Sequence, residues 1–170
     1  DPAIRLFNML VGGVSPECGR MVTKSDAVTK DNVDQFWKAP AGSETPAATL
    51  PAFDSACTPA DEATVKPVNK QPGKPMKIAI LGLENNPFWI PVKEGAMKAA
   101  EELKAYGVTV DWIVPGEQHT GDVFGPGIEA AMVQQYDAIA TIAGEAGVAP
   151  FIDKAVAAGI PTVVYDSNVP

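Results

Sequence analysis

The chain has 170 residues, 46% hydrophobic and 20% charged, enough for one modest domain around a single core and short of two. Thirteen Lys and Arg against 21 Asp and Glu give a net charge of −8, which opposes docking on a phosphate backbone, so no nucleic-acid partner is expected. No run of 18 apolar residues is present, so no direct membrane insertion is expected, and any targeting segment is expected outside this stretch, which opens on Asp1 without a charged and then apolar leader.

Seven prolines (Pro40, Pro46, Pro51, Pro59, Pro67, Pro72 and Pro75) fall within 36 residues filled by Ala, Thr, Ser, Glu and Asp without helical or strand periodicity. Proline cannot donate to a ladder and biases its predecessor away from helix, so 39–75 is expected to be a Pro-rich linker. Charge divides at the same place: residues 1–75 carry 8 cations and 9 anions, residues 76–170 carry 5 and 12.

From Met76 the periods alternate. Met76 to Gly82 is a short apolar run, suited to a strand buried on both faces. Pro91 stands where a helix would begin, Val92, Ala96, Ala99, Ala100 and Leu103 share one helical face, and Gly107 closes it. Val108–Val114 is a second strand, and a helix over about 122–135 carries Ile128, Ala131 and Met132 inward. Asp137–Ile142 is a third strand. Pro150 opens a helix with Ile152, Ala155 and Val156 inward and Gly159 at its end, and Ile160–Tyr165 is a fourth strand.

Strand–helix alternation with short connections specifies right-handed crossovers and an α/β fold: a parallel sheet with helices on both faces, in expected order 2-1-3-4. Ligands of such sheets bind beyond the carboxyl ends of the strands, so the loops of interest are 82–90, 115–121, 143–149 and 166–170. The first lacks the G-x-G-x-x-G of a dinucleotide fold and offers Asn85, Asn86, Pro87, Phe88 and Trp89 instead. Amides exchange hydrogen bonds with hydroxyls, and aromatic faces pack on the C–H face of a sugar ring; the same residues can also serve as a helix cap and core.

The strand followed by Asn-Asn-Pro-Phe-Trp and the helix Val-Lys-Glu-Gly-Ala-Met-Lys-Ala-Ala resemble the opening of the type I periplasmic sugar-binding proteins, the ribose-binding-like family of ABC uptake systems. Ile160 to Ser167 resembles that family's fourth strand and the acid after it. The resemblance covers roughly 76–170 and implies the N-terminal, flavodoxin-like lobe of a periplasmic-binding-protein type I fold. It also implies that Asn86 and Asp166 hydrogen-bond sugar hydroxyls, that Phe88 and Trp89 flank the ring, and that Ser167 adjoins the ligand. Gly82 stands where ribose binders have serine and Ser167 where they have arginine, so a monosaccharide or related polyol is implied without pointing to ribose.

Val22-Thr23-Lys24 and the run Val28 to Phe36 resemble the closing phrase of the same family, with Asp1–Leu10 as the end of its last helix and Gly12-Gly13 as terminator. The expected organisation is thus a tail-like segment over 1–38, the linker over 39–75 and the lobe over 76–170. A tandem protein spanned across its junction and an N-terminal extension both account for it. The resemblance further implies a periplasmic or extracellular location, an ABC permease as partner, a second lobe completing the site, and no cofactor.

Two other classes are weighed against solute capture. A sugar-responsive transcription regulator or chemoreceptor partner uses the same lobe, but a regulator needs a basic helical segment ahead of it, and 1–75 has net charge −1. An enzyme would need a nucleophile elbow, a phosphate loop or paired carboxylates, none of which the sequence supplies. Among single residues, Asp122 after Gly121 reads as a helix N-cap, Glu145 as an open cleft-side candidate, and Trp112 as core. The single histidine, His119, has no second ligand or triad partner in the sequence, and Cys18 and Cys57 are too few for a zinc site, though outside the cytoplasm they could pair.

Overall fold

The computed structural model describes residues 2–13, 31 and 66–166. Residues 2–13 and 66–166 belong to one compact unit; Asp31 belongs to a second, which otherwise lies outside the described residues. The elements are α1 (Pro2–Gly12), β1 (Met76–Leu81), α2 (Trp89–Lys104), β2 (Val108–Ile113), α3 (Gly121–Val133), β3 (Ala138–Thr141), α4 (Ala149–Ala157) and β4 (Thr162–Val164).

All four strands are parallel in the order β2-β1-β3-β4, the 2-1-3-4 order expected from the alternation of apolar runs. β1 pairs with β2 from Met76 against Val108 to Leu81 against Ile113, and with β3 from Ile78 against Ala138 to Ile80 against Ala140. β3 then pairs with β4 from Ile139 against Thr162 to Thr141 against Val164. The central strands are covered on both faces, which is why they read as unbroken apolar runs: Ile78 to Leu81 and Ala138 to Thr141 are all fully buried. β2, at an edge, alternates instead, with Val108 and Val110 buried and Thr109 exposed.

Each face of the sheet has its own core. One is formed by Ile78, Ile80, Val108, Val110, Ala138 and Ala140 under Ala96, Ala99, Ala100 and Leu103 of α2 and Ala3, Ile4, Leu6, Phe7 and Val11 of α1. The other packs Ala79, Leu81 and Ile139 under Phe124, Ile128 and Ala131 of α3 and Ala155 of α4. From its N-cap Val148, the inward stripe of α4 continues through Phe151, Ile152 and Ala155, at i, i+3, i+4 and i+7; the expected Val156 lies one step off this stripe and is exposed.

The tail-like α1 therefore covers the first face of the sheet. Phe7 meets Tyr106 with ring centroids 5.0 Å apart, and Asn8 donates from Nδ2 to the Lys66 carbonyl (2.8 Å) while its Oδ1 accepts from the Val68 amide (2.9 Å). Of the linker expected over 39–75, residues 39–65 lie outside the described residues, as do Cys18 and Cys57. Residues 66–75 are irregular yet held, by Asn8, by Gln71 donating to the Ala105 carbonyl, and by Lys74 paired with Asp137.

α2 and α4 end where their glycines predict: Gly107 and Gly159 sit at φ +70° and +80°, the left-handed geometry that glycine adopts without strain. α3 ends in the same motif without a glycine. The Tyr136 amide reaches back to the Ala131 carbonyl and the Gln135 amide to that of Met132, with Gln135 itself at φ +58°.

Candidate ligand-binding site

The carboxyl ends of the strands bring the β1–α2, β2–α3 and β3–α4 loops and the end of β4 to one edge of the sheet. In the first, the Gly82 amide extends the ladder to the Ile113 carbonyl, and the chain turns at Asn85-Asn86. Asn86 Oδ1 accepts from the Phe88 amide at 3.0 Å, so α2 starts at Trp89, two residues ahead of the proline that seemed to mark its first turn. Asn86 Nδ2 donates to Asn85 Oδ1 (3.0 Å), and Asn85 Nδ2 donates across to the Glu117 carbonyl at 2.5 Å.

The two aromatics separate by exposure. Phe88 is 56% exposed, whereas Trp89 is 5% exposed and belongs to the core under α3 and α4. Their rings meet edge to face with centroids 5.0 Å apart, so Trp89 fixes the attitude of a ring that solvent can reach.

The second and third loops lock together. Glu145 Oε1 accepts from the Gly121 amide at 2.5 Å, satisfying a free N–H at the start of α3. The carboxylate serving that terminus thus comes from another loop: Thr120 is the N-cap position, without a side-chain cap, and Asp122 lies in the first turn. The backbones of Gly121 and Gly147 approach so closely that a Cβ on Gly121 would stand 2.5 Å from the Gly147 carbonyl oxygen. The His119 ring lies against Gly144, where a Cβ would come within 2.0 Å of its Cδ2.

β4 delivers Asp166. The Tyr165 hydroxyl donates to the Leu81 carbonyl (2.8 Å) and its amide to the Thr141 carbonyl (3.0 Å), clamping the strand end to its neighbours. Burial, with the Asp166 charge adding to it, pushes the Tyr165 phenol well above its ordinary pKa, so it stays neutral and donating. Asp166 follows at φ +69°, exposed, in a conformation that a non-glycine residue adopts at a cost. Ser167 lies outside the described residues.

This edge carries Glu84, Glu117, Asp122, Glu145 and Asp166, with Lys93 paired to Glu84 at 2.5 Å. Among the described residues no group of three or more His, Cys, Asp or Glu could hold a metal ion, and no helix is long and apolar enough to cross a membrane.

Residues 79–170, more than half of the chain, match the family model described as periplasmic binding protein domain. The chain belongs to that family. Its parallel sheet and flanking helices form one lobe of the type I fold. Among solved structures it is similar to a periplasmic solute-binding protein of an ABC transporter from Actinobacillus succinogenes with bound D-allose, at 20% identity and TM-score 0.49. That likeness covers 57% of this chain and 33% of the other. It is also similar to LsrB from Clostridium saccharobutylicum in complex with AI-2, at 25% identity and TM-score 0.47, over 55% of this chain and 28% of the other. The chain thus spans about a third of the length of these structures. Compared with curated protein sequences, it finds no match.

Proposed function

We propose that this chain supplies one lobe of a two-lobed periplasmic or extracellular binding protein that captures a monosaccharide or related polyol and delivers it to an ABC permease, without chemistry. The observation that carries this reading is that the loops after β1 and β4, both at the carboxyl edge of the lobe, present an exposed ring and an exposed carboxylate. Phe88 is held edge-on by buried Trp89, and Asp166 is held in a left-handed turn beyond β4. A carboxylate accepts from two hydroxyls at once, and an aromatic face covers the C–H side of a pyranose or furanose ring. The remaining Asn86 amide hydrogen and the hydroxyl of Ser167, next to Asp166 in sequence, add polar partners. The carboxylates along this edge disfavour an anionic ligand and suit a neutral one.

One lobe meets one side of the ligand. A few hydrogen bonds left to water, at about 0.5–1.5 kcal/mol each, reduce micromolar binding to millimolar, so the chain alone is a weak binder. Calorimetric titration of pentoses, hexoses and polyols against the protein with its second lobe restored tests the proposal. Saturable binding of at least one panel member is expected; absence of binding by all of them overturns the sugar class.

A further inference from the structure

Trp112 lies near the carboxyl end of β2, opposite Ile80 of β1, and its ring crosses onto Gly82, where β1 ends and the candidate site begins. A Cβ at residue 82 would stand 2.1 Å from both Cη2 and Cζ2 of the indole. The ring therefore fills the volume that a side chain at the end of β1 would otherwise project into the site. Its nitrogen is enclosed, and Nε1 meets no acceptor among the described residues.

An indole N–H donates and cannot accept, and tryptophans that bury this group ordinarily give it a partner. The acceptors at this edge are engaged elsewhere: the Ile113 carbonyl by Gly82, that of Leu81 by Tyr165, that of Glu117 by Asn85, and Glu145 Oε1 by Gly121. A buried donor left without an acceptor destabilises the fold, and a ligand oxygen that reaches it recovers the loss.

We propose that Trp112 is a specificity-determining residue of this site, its indole N–H donating to a hydroxyl or ring oxygen of the bound sugar while the ring forms the floor that Gly82 leaves open. The inference rests on the sugar reading above and extends it. It selects a ligand with an oxygen acceptor at that point against its deoxy analogue. Because Nε1 is enclosed, binding includes a movement of the ring that brings the N–H to the cleft, and with glycine at residue 82 no side chain pins the ring against it.

Proton–nitrogen correlation spectra of the 15N-labelled chain, titrated with pentoses, hexoses and polyols into the high-millimolar range, test this. The chain has three tryptophans, Trp37, Trp89 and Trp112, and the Trp112 indole signal is assigned in the unsubstituted chain through its ring contacts to the Gly82 α-protons. The expected result is a saturable shift of that proton, with the same half-saturation as the Phe88 and Asp166 amides. Trp112→Phe, which keeps a ring over Gly82 and removes the donor, is expected to weaken that sugar about three- to tenfold while leaving thermal stability unchanged or higher. Site amides that move while the Trp112 indole stays still, or equal binding by a folded Trp112→Phe, overturn the donor role and leave the sugar reading standing. If no resonance responds to any panel member, the sugar reading fails and this inference fails with it. The indole shift decides even where the variant does not fold.

Discussion

At the amino end of the sheet, held groups belong to the scaffold. Lys74 pairs with Asp137 at 2.7 Å, Lys77 reaches the Gln134 carbonyl and lies 4.3 Å over the Tyr136 ring, and Tyr136 donates to Asp111 at 2.8 Å. Burial first, then the Asp111 hydrogen bond and charge, push the Tyr136 phenol up to about 12. Open hollows of about 370 and 560 Å³ also lie at this end, lined by residues such as Lys70, Lys74, Met76, Asp137 and Gly159. At the carboxyl end the loops bind one another through Asn85, Asn86 and Glu145, and leave Phe88 and Asp166 facing outward. These two hollows thus sit away from Phe88 and Asp166. On the proposed reading the recognising surface is an open edge, and its readiness lies in the bracing of its loops, not in a cavity.

The largest effect expected at the carboxyl end is on binding. Asp166 sits at φ +69°, so alanine there would combine loss of the carboxylate with backbone strain; asparagine tolerates that conformation and removes the charge alone. With the second lobe restored, Asp166→Asn is expected to cost about 1.5–3 kcal/mol of sugar affinity, roughly ten- to a hundredfold, with the unfolding midpoint little changed. Titration calorimetry beside thermal unfolding separates the two, and unchanged affinity would remove Asp166 from the site.

The bracing itself is tested next. Gly121→Ala places a Cβ against the Gly147 backbone, where no rotamer change relieves it, and is expected to cost about 1–3 kcal/mol of stability. Gly73→Ala, at the amino end, meets nothing within 4 Å and is expected to stay within about 0.5 kcal/mol of the parent. Urea unfolding of the pair measures the contrast between the two ends, and equal costs would abolish it.

What the sequence made legible follows the same division. The four strands, their order, and the glycines ending α2 and α4 are periodic or local signals, set by burial on both faces and by positive φ. The covering of one sheet face by α1 was not legible, because Phe7 and its neighbours meet Ile78 and Leu103 across more than 60 residues, and no period spans that distance. The family resemblance implies Trp89 as a second ring for the ligand, and the residues alone leave core equally open; it is 5% exposed in the core cluster that holds Leu83, Phe124 and Val148, a cluster drawn from three separate stretches of chain. Glu145 stood open for a similar reason: a carboxylate that serves another loop's amide is visible only once the loops meet. Gln135 carries no sign of its left-handed conformation, since the usual signal is glycine.

Gln135 supplies a smaller test at the amino end. It is exposed and strained by its positive φ, so Gln135→Gly relieves the strain and raises the entropy of the unfolded chain, two opposing terms. The strain, about 1–2 kcal/mol, exceeds the entropy cost of about 0.4–1 kcal/mol when each is taken at the middle of its range, so the net expectation is a gain of about 0.5–1 kcal/mol, read as a higher unfolding midpoint with unchanged sugar affinity. A loss of stability would mean that the Gln135 side chain holds the helix end by contacts worth more than the strain.

The smallest effect is electrostatic and lies at Asp137. Burial alone would raise its pKa, but the hydrogen bonds from the Lys74 ammonium and the Lys77 amide, with the charges of both lysines, outweigh burial and hold it below its ordinary value. A carboxyl depressed on folding contributes its full stability above the unfolded pKa and loses that contribution as pH falls through the lower, folded value. Lys74 is 74% exposed, so screening keeps the contribution to about 1 kcal/mol or less. Asp137→Asn keeps an oxygen for the Lys77 amide and removes the charge. It is expected to lower stability slightly near neutral pH and to flatten the dependence between the unfolded and folded pKa, below about pH 4. Unfolding free energies of parent and variant from pH 2 to 7 should therefore converge at the acid end, and a constant gap across that range would assign the loss to geometry instead of charge.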